Sequence, residues 1–178
     1  MPASFAVTAI GRDRPGIVAA ISGILAELGA NIEDSRMAIL RGNFAVMLVT
    51  VLPDEVDPGT LEQRLDGVRT ELGLEAVTVN SVEEIGSPAV PTHTLTVYGA
   101  DHPGIVHAVS AALAERGVNI TDLEARLTVS GKSPIYTMML ELELPRGTDP
   151  DQLREVLTGV GSDAGVEVSL REIGAEPL

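Results

Sequence analysis

Two repeated segments of the sequence carry the residue types that could bind a small charged molecule. Gly11-x-Asp13-x-Pro15-Gly16 and Gly99-x-Asp101-x-Pro103-Gly104 each place a carboxylate and free backbone N–H groups where a helix is expected to begin. The N–H groups could take a carboxylate and the aspartate could take an ammonium, so the pair suits a small zwitterion. The alternative is that Asp13 and Asp101 only cap their helices, as aspartates at such positions commonly do.

A second repeated element follows each of these helices. Asn31-Ile32 and Asn119-Ile120 stand at the expected entrance to the next strand, and Asp34 and Asp122 come just after them. An asparagine two residues after a helix-ending glycine is often a turn residue that bonds its own backbone. Because the turn and the asparagine segment recur together in both halves, we expect a paired binding site.

The motifs for phosphate binding are incomplete. Gly11 and Gly16 are spaced like the ends of a P-loop, but Ile17-Val18 stand where a lysine and a hydroxyl residue are required. The dinucleotide fingerprint with three glycines is also absent. We therefore expect no nucleotide site.

Metal and nucleophile chemistry also lack a complete set of residues. His102 and His107 lie near Asp101, but Arg14 and Ala19 replace them in the first copy, which indicates surface histidines rather than metal ligands. The chain has no cysteine, and the serines of the repeated helices have no histidine base at a recognisable spacing. We expect no catalytic residue, no metal, no cofactor and no enzymatic activity.

The charge of the chain argues against direct nucleic-acid binding. The net charge is −14 for 178 residues, with thirteen acidic and six basic residues in each half. An evenly acidic surface repels phosphate backbones.

The longest apolar run, Phe44 to Leu52, is half the length of a membrane helix, and the N-terminus lacks the features of a targeting segment. A cytoplasmic protein is expected.

The repeat divides the chain into two similar units. Residues 11–34 return at residues 99–122 with fifteen of twenty-four positions identical. The predicted organisation is a first unit at residues 1–86, a short proline-stiffened linker at residues 87–92 and a second unit at residues 93–178.

The first helix of each unit has clear start and stop signals. Pro15 and Pro103 fit the first helical position, where the N–H that proline lacks would have no hydrogen-bond partner within the helix. Gly29 and Gly117 fit the left-handed residue after the last turn. Apolar residues between them recur every three to four positions and predict the face that packs on the core.

The order of the elements predicts the fold class. Each unit reads as βαββαβ, with a second helix that starts at Asp57-Pro58 or Asp149-Pro150. This order predicts an α+β, ferredoxin-like unit, in which a four-stranded antiparallel sheet carries both helices on one face. The hairpin at Arg41-Gly42-Asn43 is four residues shorter than its counterpart at Ser130 to Pro134.

One strand of the first unit is apolar on both sides. Within Phe44 to Leu52, the positions that face away from the helices are all apolar, namely Ala45, Met47, Val49 and Val51. The matching positions of the second unit are mostly polar: Thr137, Met139, Glu141 and Glu143. A sheet apolar on both faces indicates that something covers the helix-free face. We predict a homodimer to which the first unit supplies more of the contact.

These motifs resemble those of the ACT domain family. The pattern is a strand, then G-x-D-x-P-G-I-V opening a helix, then G-x-N-I, in a βαββαβ unit of this size. The two copies cover nearly the whole chain, which is similar to the tandem ACT proteins of the glycine cleavage system transcriptional repressor family. The resemblance implies a regulatory module that binds an amino acid between two ACT units, whose sheets join side by side into eight strands.

The resemblance also implies which residues bind the ligand. In such proteins the turn after the first strand of one unit faces the asparagine loop of its neighbour. The first implied site is made of Asp13, Arg14, Pro15, Gly16 and Ile17 with Asn119, Ile120 and Asp122. The second is made of Asp101, His102, Pro103, Gly104 and Ile105 with Asn31, Ile32 and Asp34. The replacement of Arg14 by His102 and of Ala19 by His107 makes the two sites unequal.

The function expected from these features is that of a non-catalytic, amino-acid-binding regulator that acts through a partner protein. A role in transcription, including that of glycine metabolism, would then be indirect. One alternative is an oligomerisation or interaction module without a ligand. Another is the detached regulatory part of an amino-acid or one-carbon enzyme.

Overall fold

The computed structural model describes residues 3–82, 89–130 and 133–174. The chain forms two compact units, with the division between residues 86 and 87. The predicted linker at residues 87–92 begins outside the described residues, so its bounds stay a prediction.

The first unit has the predicted βαββαβ order. Its sheet is antiparallel with strand order β2-β3-β1-β4, and both helices lie on one face. The elements are β1 (Ala3–Arg12), α1 (Ile17–Glu27), β2 (Asn31–Leu40), β3 (Asn43–Leu52), α2 (Pro58–Leu72) and β4 (Ala76–Val82).

The second unit repeats this order with the equivalent strand order β6-β7-β5-β8. The elements are β5 (His93–Ala100), α3 (Ile105–Ala114), β6 (Asn119–Ser130), β7 (Ser133–Glu143), α4 (Pro150–Asp163) and β8 (Val166–Glu172). The centre of the predicted longer hairpin, residues 131–132, lies outside the described residues. The α+β, ferredoxin-like class is confirmed, whereas the joining of the two sheets into eight strands stays a prediction.

Each core lies between one sheet face and its two helices. The stripe of α1 buries Ile17, Ile21 and Leu25 against strand residues such as Val7 and Phe44. The stripe of α3 likewise buries Ile105, Val109 and Leu113. Full burial of such a side chain stabilises the fold by about 1.5–3 kcal/mol, so these stripes hold the helices on their sheets.

The predicted position of the two prolines was wrong. Pro15 and Pro103 lie in the turn before the helix, and the N-cap residues are Gly16 and Gly104, each with a φ of 98°. A left-handed residue cannot belong to the helix, so the helix starts only after it. The predicted second helices do begin with an aspartate N-cap followed by proline.

The first glycine of each turn motif allows a close approach of two segments. A Cβ on Gly11 would lie 2.9 Å from Leu74 Cδ2, and a Cβ on Gly99 would lie 2.9 Å from the Cα of Val166. Real Cβ atoms almost never come this close to other atoms. The motif therefore holds the turn against the segment that follows the second helix.

The helix-free faces of the two sheets differ as predicted. In the first unit Met47 is 51% exposed, and Ile10 of β1 lies beside Ala45 and is 47% exposed. In the second unit Met139 is also 51% exposed, but Glu141 and Glu143 follow it on the same side of β7. A charged residue lies opposite each methionine on the edge strand, Arg36 opposite Met47 and Glu124 opposite Met139. The first unit thus presents an apolar face, defined here by Ile10, Ala45, Met47, Val49 and Val51, where the second unit presents a charged one.

Candidate functional site

The turn before each first helix leaves backbone N–H groups uncapped. Gly16 and Gly104 are the N-cap residues, and among the described residues no side chain donates or accepts a capping hydrogen bond there. The first N–H groups of a helix have no partner within the helix and carry partial positive charge. Both turns can therefore receive an anionic group.

The two aspartates of the turns do not cap their helices. Asp13 and Asp101 are exposed, and the described part of the chain gives their carboxylates no hydrogen bond and no ion pair. The backbone N–H of Asp13 instead donates to the carbonyl oxygen of Gly42 at 2.8 Å, which fixes the turn on the β2–β3 hairpin. Each carboxylate is therefore available to a cation.

A tyrosine lies close to the aspartate of the second turn. Burial raises the pKa of the Tyr136 phenol above its usual 10.0, and the Asp101 carboxylate raises this pKa further. The phenol donates to Met138 Sδ at 3.9 Å. The corresponding residue of the first unit, Phe44, is buried in the core and has no hydroxyl group.

Arg14 and His102 occupy the same place in the motif but behave differently. Arg14 Nη1 donates to the carbonyl oxygen of Leu72 at 3.2 Å, which ties the β1–α1 turn to the end of α2. His102 is exposed and lines a cavity of about 630 Å³ at the end of α4. The turn of the second unit therefore borders a cavity, whereas the turn of the first unit is tied to the end of α2.

The asparagines begin the two edge strands. Asn31 and Asn119 are exposed, and no hydrogen bond of either carboxamide occurs within the described ranges. The carbonyl oxygen of Asn31 accepts from Thr50 Oγ1 at 2.8 Å. An asparagine at this position was expected to bond its own backbone, but neither side chain does so in the described structure. Both side chains are therefore available to a ligand.

The residues that follow the asparagines shape a bulge in each edge strand. The pairing register shifts between Ile32 and Asp34, and again at the equivalent Ile120 and Asp122. Each aspartate accepts a hydrogen bond from the backbone N–H of the next residue, at 2.7 Å in the first unit and 2.9 Å in the second. Both aspartates therefore have a local role at the bulge.

One buried oxygen lies within the second bulge. Thr121 Oγ1 is the buried side-chain oxygen that lacks a hydrogen-bond partner in the described structure. An unsatisfied buried hydroxyl costs free energy, about 1–3 kcal/mol. Asn119 lies two residues earlier in the chain, so this segment has spare hydrogen-bonding capacity.

Within one unit the turn and the asparagine are far apart. Gly16 precedes α1 and Asn31 follows it, so the eleven residues of the helix separate them by roughly 16 Å. A single small ligand cannot span the two elements of one unit. The pairing of each turn with the asparagine loop of the other unit stays a prediction.

The histidines near the second turn do not form a metal centre. Across residues 3–82, 89–130 and 133–174, no group of three or more histidine, cysteine, aspartate or glutamate side chains could hold a metal ion. His102 and His107 are both exposed, and His107 lines a second, smaller cavity with Asp101 and Tyr136. Their arrangement suits polar contacts at the rim of a cavity.

The sequence patterns did not point to the end of α4. Val160, Ser162, Asp163 and Ala164 line the larger cavity together with the predicted turn. The sequence does show a difference between the two units at this place: Ala164 precedes Gly165, whereas the larger Leu72 precedes Gly73. Without the fold, nothing connects this difference to a turn some sixty residues away.

The chain matches one known family in both of its units. The ACT domain matches residues 4–79 and again residues 93–159. This chain therefore belongs to the ACT domain family and carries two ACT domains in tandem, which confirms the resemblance predicted from the turn motifs.

Two relatives and one solved structure show how far the similarity extends. A UPF0237 protein of Methanopyrus kandleri is 50% identical over 72 residues, which are 40% of this chain and 80% of that protein. The glycine cleavage system transcriptional repressor of Escherichia coli is 31% identical over 121 residues, which are 67% of this chain and 63% of that protein. The crystal structure of an unknown protein from Galdieria sulphuraria has a TM-score of 0.83 at 30% identity, covering 97% of this chain and 99% of that one.

None of the helices in the described ranges is long and apolar enough to cross a membrane.

Proposed function

We propose that this chain is a non-catalytic regulator that binds a free amino acid and changes the activity or association of a partner protein in the cytoplasm. One observation carries the proposal. In both units, the turn before the first helix carries an exposed carboxylate with no hydrogen bond or ion pair in the described structure, and three residues later the N-cap glycine begins a helix with uncapped N–H groups.

The charges of an amino acid match this arrangement. Its carboxylate would lie against the N–H groups that follow Gly16 or Gly104, where the helix dipole favours negative charge. Its ammonium would lie near Asp13 or Asp101, or near the carboxamides of the asparagines. Because these groups are exposed and hydrated when no ligand is bound, we expect affinity in the micromolar to millimolar range.

The family and the charge of the chain support a regulatory role. The similarity to a protein named glycine cleavage system transcriptional repressor favours regulation of amino-acid metabolism, glycine included. With a net charge of −14, the chain would repel the DNA backbone, so an effect on transcription would pass through a partner. The site residues proposed for the ligand are those of the two turns and the two asparagine segments.

A melting screen against the twenty common amino acids tests the proposal. A ligand that binds only the folded state stabilises it by about 2.7 kcal/mol at a hundredfold excess over Kd. At least one amino acid at millimolar concentration should therefore raise the melting temperature. The absence of a shift with all twenty would contradict the proposal.

Two alanine variants then locate the binding. Asn31→Ala and Asn119→Ala should each weaken binding while changing stability by about 1 kcal/mol or less, because both side chains are exposed. Calorimetric titration of each variant measures the loss. If both variants bind the amino acid as wild type does, the asparagines are not part of the site.

A second candidate function is that of an interaction module without a ligand. The apolar face of the first unit favours it, because such a surface on a very acidic protein suits contact with another protein. Under this alternative, no amino acid changes the melting temperature, while substitutions on the apolar face still change the assembly.

A further inference from the structure

The strand β4 forms an edge of the first sheet and lacks the features that usually protect such edges. In the strand order β2-β3-β1-β4 it pairs with β1 alone, so within the described part of the chain no strand pairs with its other side. Natural edge strands are commonly protected by charged side chains, proline or a bulge. Ala76–Val82 contains no charged residue and no proline, and its register with β1 runs without a shift. This edge can therefore pair with another extended segment.

A groove lies along this edge, between β4 and the helix α2. Its volume is about 350 Å³. The floor is apolar and consists of buried Leu65 of α2 with half-buried Val77 and Val79 of β4. The rim carries the exposed carboxylates of Glu62 and Asp66, which lie on the same side of α2 because four residues separate them. We call this feature the α2–β4 groove.

The second unit brings its helix closer to the corresponding edge strand. A Cβ on Gly161 of α4 would lie 2.6 Å from Val168 Cγ2 and 2.8 Å from the carbonyl oxygen of Val166, distances that real Cβ atoms essentially never show. Arg69 has the same place in α2, four residues before the left-handed glycine that follows the helix. Its side chain prevents an equally close approach. The first unit therefore has a groove where the second unit has a direct contact between helix and strand.

The charges beside the two edge strands also differ. Arg154 and Thr158 of α4 take the places of Glu62 and Asp66, and β8 itself carries three charged residues. In the described structure the Glu62 carboxylate has no hydrogen bond and no ion pair. Asp66 Oδ1 accepts from Arg69 Nε at 2.7 Å, an ion pair of exposed side chains, and such pairs are weak. The rim of the α2–β4 groove therefore favours a basic side chain.

We propose that the α2–β4 groove binds an extended segment of a partner protein, which pairs with β4 as a fifth strand and carries a lysine or arginine. In this mode of binding, backbone hydrogen bonds to the edge provide affinity and the side chains that reach the groove provide selectivity. Side chains of a strand alternate between the two faces of a sheet, so every second residue of the segment faces α2. Apolar residues there lie on the floor, and the basic residue lies beside Glu62 and Asp66.

Charge complementarity favours a basic partner over a second copy of this chain. The β4 strand of a second copy has no basic residue to offer, and its own α2 would bring two more carboxylates to the groove. Like charges brought together at an interface oppose binding. This inference rests on the proposed function, in which a partner protein is regulated, and adds the surface that contacts the partner and the chemistry of the contacting segment.

Two synthetic hexapeptides test the selectivity of the groove. The basic peptide is Thr-Val-Thr-Lys-Thr-Val, in which the valines and the lysine point to one side of a strand, and the acidic peptide has glutamate in place of the lysine. Fluorescence anisotropy of the labelled peptides with the full chain measures binding. The basic peptide should bind at least tenfold more tightly than the acidic one. Equal affinity for the two peptides, or no binding of either at millimolar protein, would overturn the inference.

Backbone hydrogen exchange tests whether the peptide pairs with β4. Saturation with the basic peptide should slow the exchange of the accessible amides within Ala76–Val82 at least tenfold, because new interstrand hydrogen bonds would protect them. The amides of the opposite edge strand, β2 (Asn31–Leu40), should exchange as before and serve as the internal control. Binding that leaves the exchange of β4 unchanged would show that the peptide lies elsewhere, and the inference would be wrong.

A variant that copies the second unit should lose the selectivity. Glu62→Arg combined with Asp66→Thr should weaken the binding of the basic peptide at least tenfold and strengthen that of the acidic peptide. Both side chains are exposed, and melting curves show whether the variant is folded. Glu62→Arg alone decides the matter if the double variant does not fold. Arg154→Glu is the matched control and should leave both affinities unchanged, because α4 lies directly against β8.

The outcomes separate this inference from the proposed function. If an amino acid raises the melting temperature but the basic peptide does not bind, the proposed function stands and this inference is wrong. If the basic peptide binds as described while none of the twenty amino acids changes the melting temperature, the groove is an interaction site and the proposed function is wrong. Protection of the β4 amides that rises with protein concentration in the absence of peptide would show that a second copy occupies the edge, which would also overturn this inference.

Discussion

The guanidinium of Arg14 donates a hydrogen bond to the carbonyl oxygen of Leu72 across 3.2 Å, between residues 58 positions apart. This contact ties the turn before α1 to the end of α2. The second unit has His102 and Ala164 at the corresponding positions, and a cavity lies there instead. Two copies of one fold therefore present different surfaces at the same turn.

Replacement of the N-cap glycine should lower stability through the backbone alone. A Cβ on Gly16 would meet no atom within 4 Å, but its φ of 98° is a conformation that residues with a side chain rarely adopt. Gly16→Ala should therefore reduce the free energy of unfolding by about 1–2 kcal/mol. Urea denaturation followed by circular dichroism measures the change.

Gly23→Ala is the matched control for that substitution. Gly23 lies inside α1, and a Cβ there would also meet no atom within 4 Å. Alanine in a helix interior is more favourable than glycine, so this variant should gain about 0.5–1 kcal/mol. Equal losses in the two variants would show that the left-handed conformation is not the cause.

A charge on the apolar face of the first unit should disrupt the predicted homodimer. Met47 lies at the centre of this face and is 51% exposed. Met47→Asp would bury a carboxylate in the contact, and the desolvation of this charge is unfavourable even though Arg36 lies opposite it on β2. Light scattering should report a dimer for wild type and a monomer for the variant.

Met139 supplies the control for the dimer. It occupies the equivalent position of the second unit, is equally exposed at 51%, and lies on a face that also carries Glu141 and Glu143. Met139→Asp should leave the mass of the assembly unchanged. A monomeric wild type, or equal effects of the two variants, would count against an interface on the first unit.

The purified protein should not bind DNA at physiological salt. Nonspecific affinity for DNA arises mainly from basic side chains that neutralise phosphates, and this chain carries a net charge of −14. A mobility-shift titration with an arbitrary duplex, at micromolar protein, measures binding. A salt-sensitive shift caused by the protein alone would refute the expectation.

The phenol of Tyr136 should make the stability of the second unit depend on pH above about 10. Its pKa is raised in the folded state by burial and by Asp101, so the folded state keeps the proton after the unfolded state has lost it. Stability should therefore fall as the pH rises from the unfolded pKa through the folded one. Tyr136→Phe should reduce this fall, which melting curves between pH 9 and 11 measure.

Asp101→Asn separates the two causes of this pKa shift. Burial is the larger cause and remains in the variant, so the pH dependence should shrink without disappearing. A pH dependence identical in wild type, Asp101→Asn and Tyr136→Phe would show that another group is responsible.

Local patterns in the sequence were sufficient for the fold and for part of the site. The spacing of Ile17, Ile21 and Leu25 identified the buried side of α1, because helical periodicity is a property of neighbouring residues. The glycines Gly29 and Gly117 were placed correctly at positive φ for the same local reason. The turn motifs and the apolar face of the first unit could also be recognised without a structure.

Only the tertiary structure decided that the turn of the first unit is tied to the end of α2 and that the turn of the second unit borders a cavity. Pro15 lies two residues before Ile17, the first helical residue, because the left-handed Gly16 stands between them as the N-cap. The contact of Arg14 with Leu72, and the cavity beside His102 and Ala164, join segments that are far apart in the chain. Such neighbours are set by the packing of the second helix on its sheet, which no local pattern of residues records.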